Sequence, residues 1–417
     1  MRAAARAKAQ RAVPLEYNLL LTATLCLLAF GAVMVYSASS ARALLQGQGD
    51  GTAFLVRYLM YGGLGLIGMH VVARRGLDSI VALTKPLLLF SFVCLVAVKV
   101  PGLGVTVNGA RRWLGAGPLQ FQPSEIAKLA LVLYGAMVLA KRPGRIRSPH
   151  DVMPLLLMAG TAVLLVASQP DLGTALVMSF TVTAMLVAAG MPIRFLAIGA
   201  GGLALLVLLY ALSEPYRRAR LTTFLDPWAH AGDAGFQAVQ GQIALGSGGL
   251  FGRGIGQSVQ KIFYLPEAHT DFILAIIGEE LGVAGIFGVL CLYGLLAYAG
   301  LRVAKRATGA YAKLLAAGLT SLILSQACLN IFAVLGLAPL TGVPLPFISY
   351  GNSNLVVLLG AMGLLLNVAK DGAQARAGKP LRAIEGGKGS RAASADSRGR
   401  NGGTRRAGAR GRGRAAG

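Results

Sequence analysis

Apolar residues along this chain gather in ten long runs, near 17–37, 53–73, 79–100, 123–140, 152–168, 172–190, 193–213, 271–300, 310–336 and 349–369. A helix needs about 17 to 25 predominantly apolar residues to cross a bilayer, and each run reaches that length. The pattern predicts an all-α polytopic membrane protein of about ten transmembrane helices. Arg2, Arg6, Lys8 and Arg11 precede the first run and the small residues of SASSARA follow it, an arrangement shared with cleaved signal peptides. That run is longer than a signal core of about 7 to 15 residues, so it reads as an uncleaved first span.

Composition agrees with lipid as the solvent: 55% of the residues are hydrophobic and 13% charged. The net charge of +24 is misleading, because residues 370–417 hold 13 Lys and Arg against 3 acids. The expected organisation is a basic N-terminus (1–16), a membrane domain (17–369) with a large loop at about 214–270 between the seventh and eighth helices, and a disordered basic tail (370–417). A polybasic tail beside a final helix is drawn to anionic lipids, and no nucleic acid is expected as partner. The four cysteines lie within apolar runs without metal-ligand spacing and read as packed, reduced thiols.

Cytoplasmic loops retain Lys and Arg, which fixes orientation. The N-terminus, Arg74 and Arg75, the KRPGRIR segment at 141–147, Arg194, Arg302, Lys305, Arg306 and the tail fall on one side, so both termini are expected in the cytoplasm. The loop around 101–122, the QPD turn, the 214–270 loop and the PLTGVPLPFISYG stretch fall on the other. Arg111, Arg112, Arg217, Arg218 and Arg220 break the charge bias; an outward cation cluster holds either an anionic substrate headgroup or ordinary lipid phosphate.

Ionisable residues inside a spanning helix cost about 2.5 to 3.5 kcal/mol each on insertion scales, which marks them as functional candidates. Glu125 and Lys128 stand i, i+3 on one face of the fourth span. Lys128 either snorkels to the interface or offers its ammonium to a phosphate in an outward cavity. In LPEAHTDFILAIIGEELG, Glu267 and Asp271 bracket the entrance of the eighth span. At about 1.5 Å per residue, Glu279 and Glu280 lie about 12 to 14 Å deeper, near the bilayer middle, and suit a structural role. Asp271 reads either as a first-turn acid favoured by the helix dipole or as a half-buried general base. The glycine-rich GSGGLFGRGIGQS at 246–258 lacks a Walker ending; it reads as a compact turn whose N–H groups, with Arg253, approach an anion. Gln326 and Asn330, i, i+4 in the ninth span, read as interhelical hydrogen-bonding groups.

Residues 17–369 carry MVYSASS, NGARRWLGAGPLQFQPSEIAKLAL, QPDLGTALV, GFQAVQGQIALGSGGLFGRGIGQSVQKIFYLPEAHTDFILAIIGEELG and PLTGVPLPFISYG in that order. Together they resemble the SEDS (shape, elongation, division and sporulation) glycosyltransferases, the FtsW and RodA family, and the VQKIFYLPEAHTDF form is closer to the division branch. In SYGNSN, Asn352 and Asn354 depart from the family pattern. The resemblance implies a peptidoglycan glycosyltransferase of the bacterial cytoplasmic membrane at the division septum, polymerising lipid II into β-1,4-linked glycan with inversion. Asp271 matches the family's catalytic aspartate. Lys128, Arg217 and Arg218 are then candidates to face the leaving pyrophosphate, with a divalent cation, Mg or Mn, as an alternative or addition. Glu125 would hold Lys128, Asp171 of QPDLGT would orient the cavity, and Glu267 and His269 complete the substrate-binding candidates. Implied partners are a class B penicillin-binding protein and other division proteins. Competing readings are a lipid II flippase, suggested by the intramembrane charges, and a division scaffold without catalysis.

Overall fold

Lipid offers no partners to backbone N–H and C=O groups, so a chain of this composition has to close its hydrogen bonds within helices. The computed structural model describes residues 14–45, 52–107, 109–116, 119–141, 146, 148–212, 222–233, 235–262 and 265–377. Its helices are α1 (Leu15–Leu45), α2 (Thr52–Arg74), α3 (Leu77–Ala97), α4 (Pro123–Ala140), α5 (Met153–Ala167), α6 (Leu172–Ala188), α7 (Ile193–Leu212), α8 (Phe236–Ser247), α9 (Ile273–Arg306), α10 (Ala310–Val334) and α11 (Asn352–Ala377). Among the described residues, 8 helices are long and apolar enough to cross a membrane, and α6 and α7 are shorter apolar helices. The chain is a multi-pass membrane protein.

Helix α11 lies along α2, α9 packs on α1 and α10, and α10 also packs on α4 and α6. Small residues permit close crossing: a Cβ on Gly363 would stand 2.6 Å from the Met69 carbonyl oxygen. Leu59, Met60, Leu64 and Ile67 of α2 and Leu89 and Val93 of α3 stay exposed on the outside of the bundle, a surface that lipid covers. At one end Glu16 pairs with Arg302 (3.1 Å) and Arg306, and Asn367 donates to the Val72 carbonyl (3.0 Å). All four cysteines are free, but Cys94 alone is buried, so the expected packing fails for Cys26, Cys291 and Cys328.

The other end carries two features that hydropathy does not predict. The 101–122 loop folds into a three-stranded antiparallel sheet, β1 (Gly104–Val107), β2 (Ala110–Ala116) and β3 (Leu119–Phe121), with Val105 opposite Trp113 and Leu114 opposite Phe121. Residues 343–350 then run as irregular backbone buried among helices. Its exposed carbonyls are met by side chains: Asn330 donates to Val343 O (2.7 Å), Gln326 to Pro344 O (3.0 Å), Tyr293 to Pro346 O (2.5 Å) and Tyr58 to Phe347 O (2.5 Å). Non-helical backbone survives among spanning helices only where such donors replace water.

Helix α9 is not one rod. At Gly282 the backbone takes φ 66°, ψ −161°, a region open to glycine alone. Residues eight apart in a straight helix are about 12 Å apart. Here Ile277 Cγ2 lies 3.3 Å from a Cβ built on Gly285, and Ile286 Cδ1 lies 3.1 Å from one built on Gly278. The chain therefore folds back sharply after Leu281, and Glu279 and Glu280 lie just before the break, on the same segment as Ile273. The break frees two carbonyls and two N–H groups, and the glycine-rich segment takes them up. Arg253 N donates to Glu279 O (3.0 Å) and Gly254 N to Glu280 O (2.9 Å), while Val283 N and Ala284 N donate to Gly249 O (3.0 Å) and Leu250 O (3.1 Å).

Candidate active site

One face of α10 organises the polar interior. Gln326 and Asn330 stand one helical turn, about 6 Å, apart. Gln326 Oε1 accepts from Lys128 Nζ at 2.7 Å, and Lys128 Nζ lies 2.9 Å from Glu125 Oε2. Glu125 in turn accepts from Asn354 Nδ2 at 2.7 Å. Lys128 and Glu125 are only 2% and 3% exposed, so Lys128 does not snorkel into solvent in this conformation; two of its three donors are committed within the protein. Asn354 is thus the second polar side chain, with Lys128, that contacts the Glu125 carboxylate.

Asp271 lies just before α9 and is half-buried. Its backbone carbonyl accepts from Asn330 Nδ2 at 2.7 Å, the same nitrogen that holds Val343 O. Its Oδ1 lies 3.1 Å from Thr270 Oγ1, which is also 3.3 Å from Glu267 Oε2. Asp271 Oδ2 stands 3.9 Å from a Cβ built on Gly342, so the carboxylate faces that glycine. The His269 ring packs against Phe54 (centroids 4.7 Å) and Tyr350 (5.5 Å), which also touch each other (5.4 Å), and its carbonyl accepts from Tyr350 N (3.0 Å). Asp271, Glu267 and His269 thus share one corner, with the Lys128 pair one turn along α10.

Asp171 caps α6, accepting from Thr174 N (3.2 Å), and its other oxygen accepts from Gln122 Nε2 (3.0 Å) at the junction of β3 and α4. Arg112 of β2 donates to the carbonyls of Gln169 (3.1 Å) and Pro170. The QPD turn is thereby tied to the sheet, and Thr341 touches Gly173 from the segment that borders Asp271. Arg217 and Arg218 fall outside the described residues.

Glu279 and Glu280 do take the structural role expected of them, with partners that sequence reasoning missed. The anion met by the glycine-rich segment is the protein's own Glu279, which accepts from Ser258 Oγ (2.5 Å), Val259 N (3.0 Å) and Gln260 N (3.3 Å), with Arg253 at 3.8 Å. Glu280 pairs with Lys261 (2.8 Å) and Ser37 (2.7 Å). A lysine in a loop and a serine in SASS carry no sequence signal for this meeting. Among the described residues, no group of three or more His, Cys, Asp or Glu comes together that could hold a metal ion.

The profile of the FTSW_RODA_SPOVE family, described as "Cell cycle protein", matches residues 17–374. The chain is 42% identical over 342 residues to a probable peptidoglycan glycosyltransferase FtsW of Geobacter sp. (strain M18), covering 82% of this chain and 93% of that protein. It is also 42% identical over 354 residues to stage V sporulation protein E of Bacillus subtilis (strain 168), covering 84% and 96%. Among solved structures, a chain of a peptidoglycan synthase complex that coordinates polymerization and crosslinking superposes with TM-score 0.70 at 33% identity, covering 84% and 97%. Thermus thermophilus RodA gives 0.63 at 32% identity, covering 84% and 96%.

Proposed function

Because this chain belongs to the FtsW, RodA and SpoVE family of cell cycle proteins, we propose that it polymerises lipid II into β-1,4-linked glycan at the outer face of the bacterial cytoplasmic membrane, with Asp271 as general base. The activity itself is peptidoglycan glycosyl transfer. The observation that carries the base assignment is the half-buried Asp271 side chain, facing Gly342 and fixed through its backbone by Asn330.

In the reaction, the 4-hydroxyl oxygen of the acceptor sugar attacks the anomeric carbon of the donor, and its proton passes to a carboxylate oxygen of Asp271. The bond from the anomeric carbon to the pyrophosphate oxygen breaks on the opposite face. The undecaprenyl pyrophosphate leaves with the bonding electrons, and the configuration inverts. A preorganised cation lowers the energy of that developing charge. Lys128 is the candidate, using its third N–H, and Arg217 and Arg218 are further candidates. Glu125 holds Lys128, Asp171 shapes the cavity through Gln122, and Glu267 and His269 flank the acceptor.

Outward placement of the sheet end is supported by Arg74, Arg75, Arg302 and Arg306 gathering at the opposite end, the side expected to face the cytoplasm. The likeness to the synthase complex supports a class B penicillin-binding protein as partner, and the division-type motifs support work at the septum. The basic tail, whose first residues to Ala377 continue α11 instead of being disordered and whose remainder lies outside the described residues, is assigned to anionic inner-leaflet lipids. The test is glycan synthesis from fluorescent lipid II by the full-length protein with its partner. Asp271→Ala is expected to slow turnover at least about 100-fold. Near-normal turnover would refute the base assignment, and lipid II translocation without any glycan would refute the polymerase.

A further inference from the structure

The short helical segment that begins beside Asp271, residues 273–281, is about 13 Å long and could not hold a fixed direction unaided. Its first residues have no side-chain cap. What orients it is contact at both ends. Near Asp271 the Asn330 amide grips the backbone, and at the far end two adjacent carboxylates, 1% and 0% exposed, are gripped by different parts of the chain. Glu279 is held by the loop through Ser258 Oγ and two backbone N–H groups. Glu280 is held by Lys261 Nζ at 2.8 Å and by Ser37 Oγ of α1 at 2.7 Å, and Lys261 Nζ also lies 3.1 Å from Ser37 Oγ. Lys261 is 4% exposed and Ser37 5%.

A buried ion pair is an expensive way to join two helices, because desolvating both charges offsets most of their attraction. Apolar contact alone would give equal stability here, since Ile273, Leu274, Ala275, Ile276 and Ile277 are already fully buried. What charge adds is direction: Glu280 is satisfied at one rotation of the segment about its axis, and that rotation sets where the opposite end points. We infer that Ser37, Lys261 and Glu280 form a positioning clamp, which fixes the 273–281 segment to α1 and thereby aims the Asp271 carboxylate at the acceptor hydroxyl. The inference rests on Asp271 being the base. None of the three touches substrate; they act through the segment.

The experiment uses the full-length protein, reconstituted with its penicillin-binding partner, with fluorescent lipid II as substrate and turnover expressed per folded molecule. Lys261→Met removes the cation while keeping the chain length, and is expected to lower kcat about 10- to 100-fold, the range a misaimed catalytic group costs. KM stays within about twofold, because substrate binding is not touched. Lys261→Arg restores most of the turnover. Ser37→Ala, a milder change, lowers kcat about 3- to 10-fold, in line with one lost hydrogen bond to a charge. A merely structural ion pair would reduce the amount of folded protein and leave kcat per folded molecule at the wild-type value; that result in Lys261→Met and Ser37→Ala overturns the clamp. Should Lys261→Met not fold, Ser37→Ala decides alone. Asp271→Asn is measured alongside. Full turnover there removes the reading on which the clamp rests, whereas loss there beside wild-type kcat in the clamp variants removes the clamp only.

Discussion

Asn354 at the start of α11 donates to Glu125 at the start of α4 across 2.7 Å, in a pocket where the two are 7% and 3% exposed. The bond closes a chain that runs from Asn354 through Glu125 and Lys128 to Gln326. Replacing Asn354 with Leu would leave a buried carboxylate oxygen with one donor fewer. A hydrogen bond to a charged group contributes about 1.5 to 3 kcal/mol, so the thermal midpoint should fall by several degrees. Asn354→Asp should be worse than Asn354→Leu, because it sets a second carboxylate against Glu125. Differential scanning fluorimetry in detergent ranks the two, and the opposite order would show that Glu125 is held by other groups.

The Lys128 and Glu125 pair allows structure and chemistry to be separated. Lys128→Met strands a buried carboxylate, and breaking such a pair costs about 3 to 5 kcal/mol. Adding Glu125→Gln removes the stranded charge and should return most of that stability. If Lys128 also faces the leaving pyrophosphate, the double variant melts near the wild type yet polymerises at least about 100-fold more slowly, the cost of losing one preorganised electrostatic group. Recovery of turnover together with stability would reduce Lys128 to an architectural role.

Sequence pattern located these elements unevenly, for physical reasons. The requirement that lipid-facing backbone be helical and apolar over a fixed thickness makes spans visible, so the runs at 53–73, 79–100 and 123–140 coincide closely with α2, α3 and α4. Helix ends were less visible: α1 continues to Leu45 and α11 to Ala377, beyond the expected 37 and 369, because hydropathy reports bilayer thickness and not helix length. The i, i+3 spacing of Glu125 and Lys128 and the i, i+4 spacing of Gln326 and Asn330 did foretell that each pair shares a face, since a helix fixes the facing of such pairs, but not that Asn330 bonds backbone carbonyls outside the helices. Ser37 meets Glu280 across 243 residues, a relation no local spacing encodes. Strands of 4, 7 and 3 residues are likewise too short to reveal an alternating pattern.

Asn330 is placed to couple Asp271 to the buried 343–350 segment, since one amide nitrogen serves both carbonyls at 2.7 Å. Asn330→Leu keeps the volume and removes both bonds, leaving two buried carbonyls short of a donor at about 1 to 3 kcal/mol each. Asn330→Asp presents an oxygen where the carbonyls need a donor, and should be at least as damaging. Turnover is expected to fall in both variants, with binding of fluorescent lipid II less affected than kcat. A variant at 330 that keeps wild-type kcat would show that the Asp271 backbone is held firmly without it.

Gly282 offers the sharpest test of the break in α9. Its φ of 66° with ψ of −161° is closed to side-chain-bearing residues, and a Cβ there would stand 2.5 Å from Gly252 N and 2.6 Å from Leu250 C. Conformational strain alone is about 1 to 3 kcal/mol. The contacts are backbone, which cannot swing aside, so Gly282→Ala must also push the glycine-rich segment off the freed carbonyls of Glu279 and Glu280. The expected result is a lower thermal midpoint, faster hydrogen exchange at Arg253 and Gly254, and reduced polymerisation. Gly288, six residues on in the same helix, has no described atom within 4 Å of a Cβ. Gly288→Ala should therefore stabilise by about 0.4 to 1 kcal/mol through the unfolded chain. If Gly282→Ala behaved like Gly288→Ala, α9 would run straight through position 282, and the fold-back that frees the Glu279 and Glu280 carbonyls for Arg253 and Gly254 would not exist.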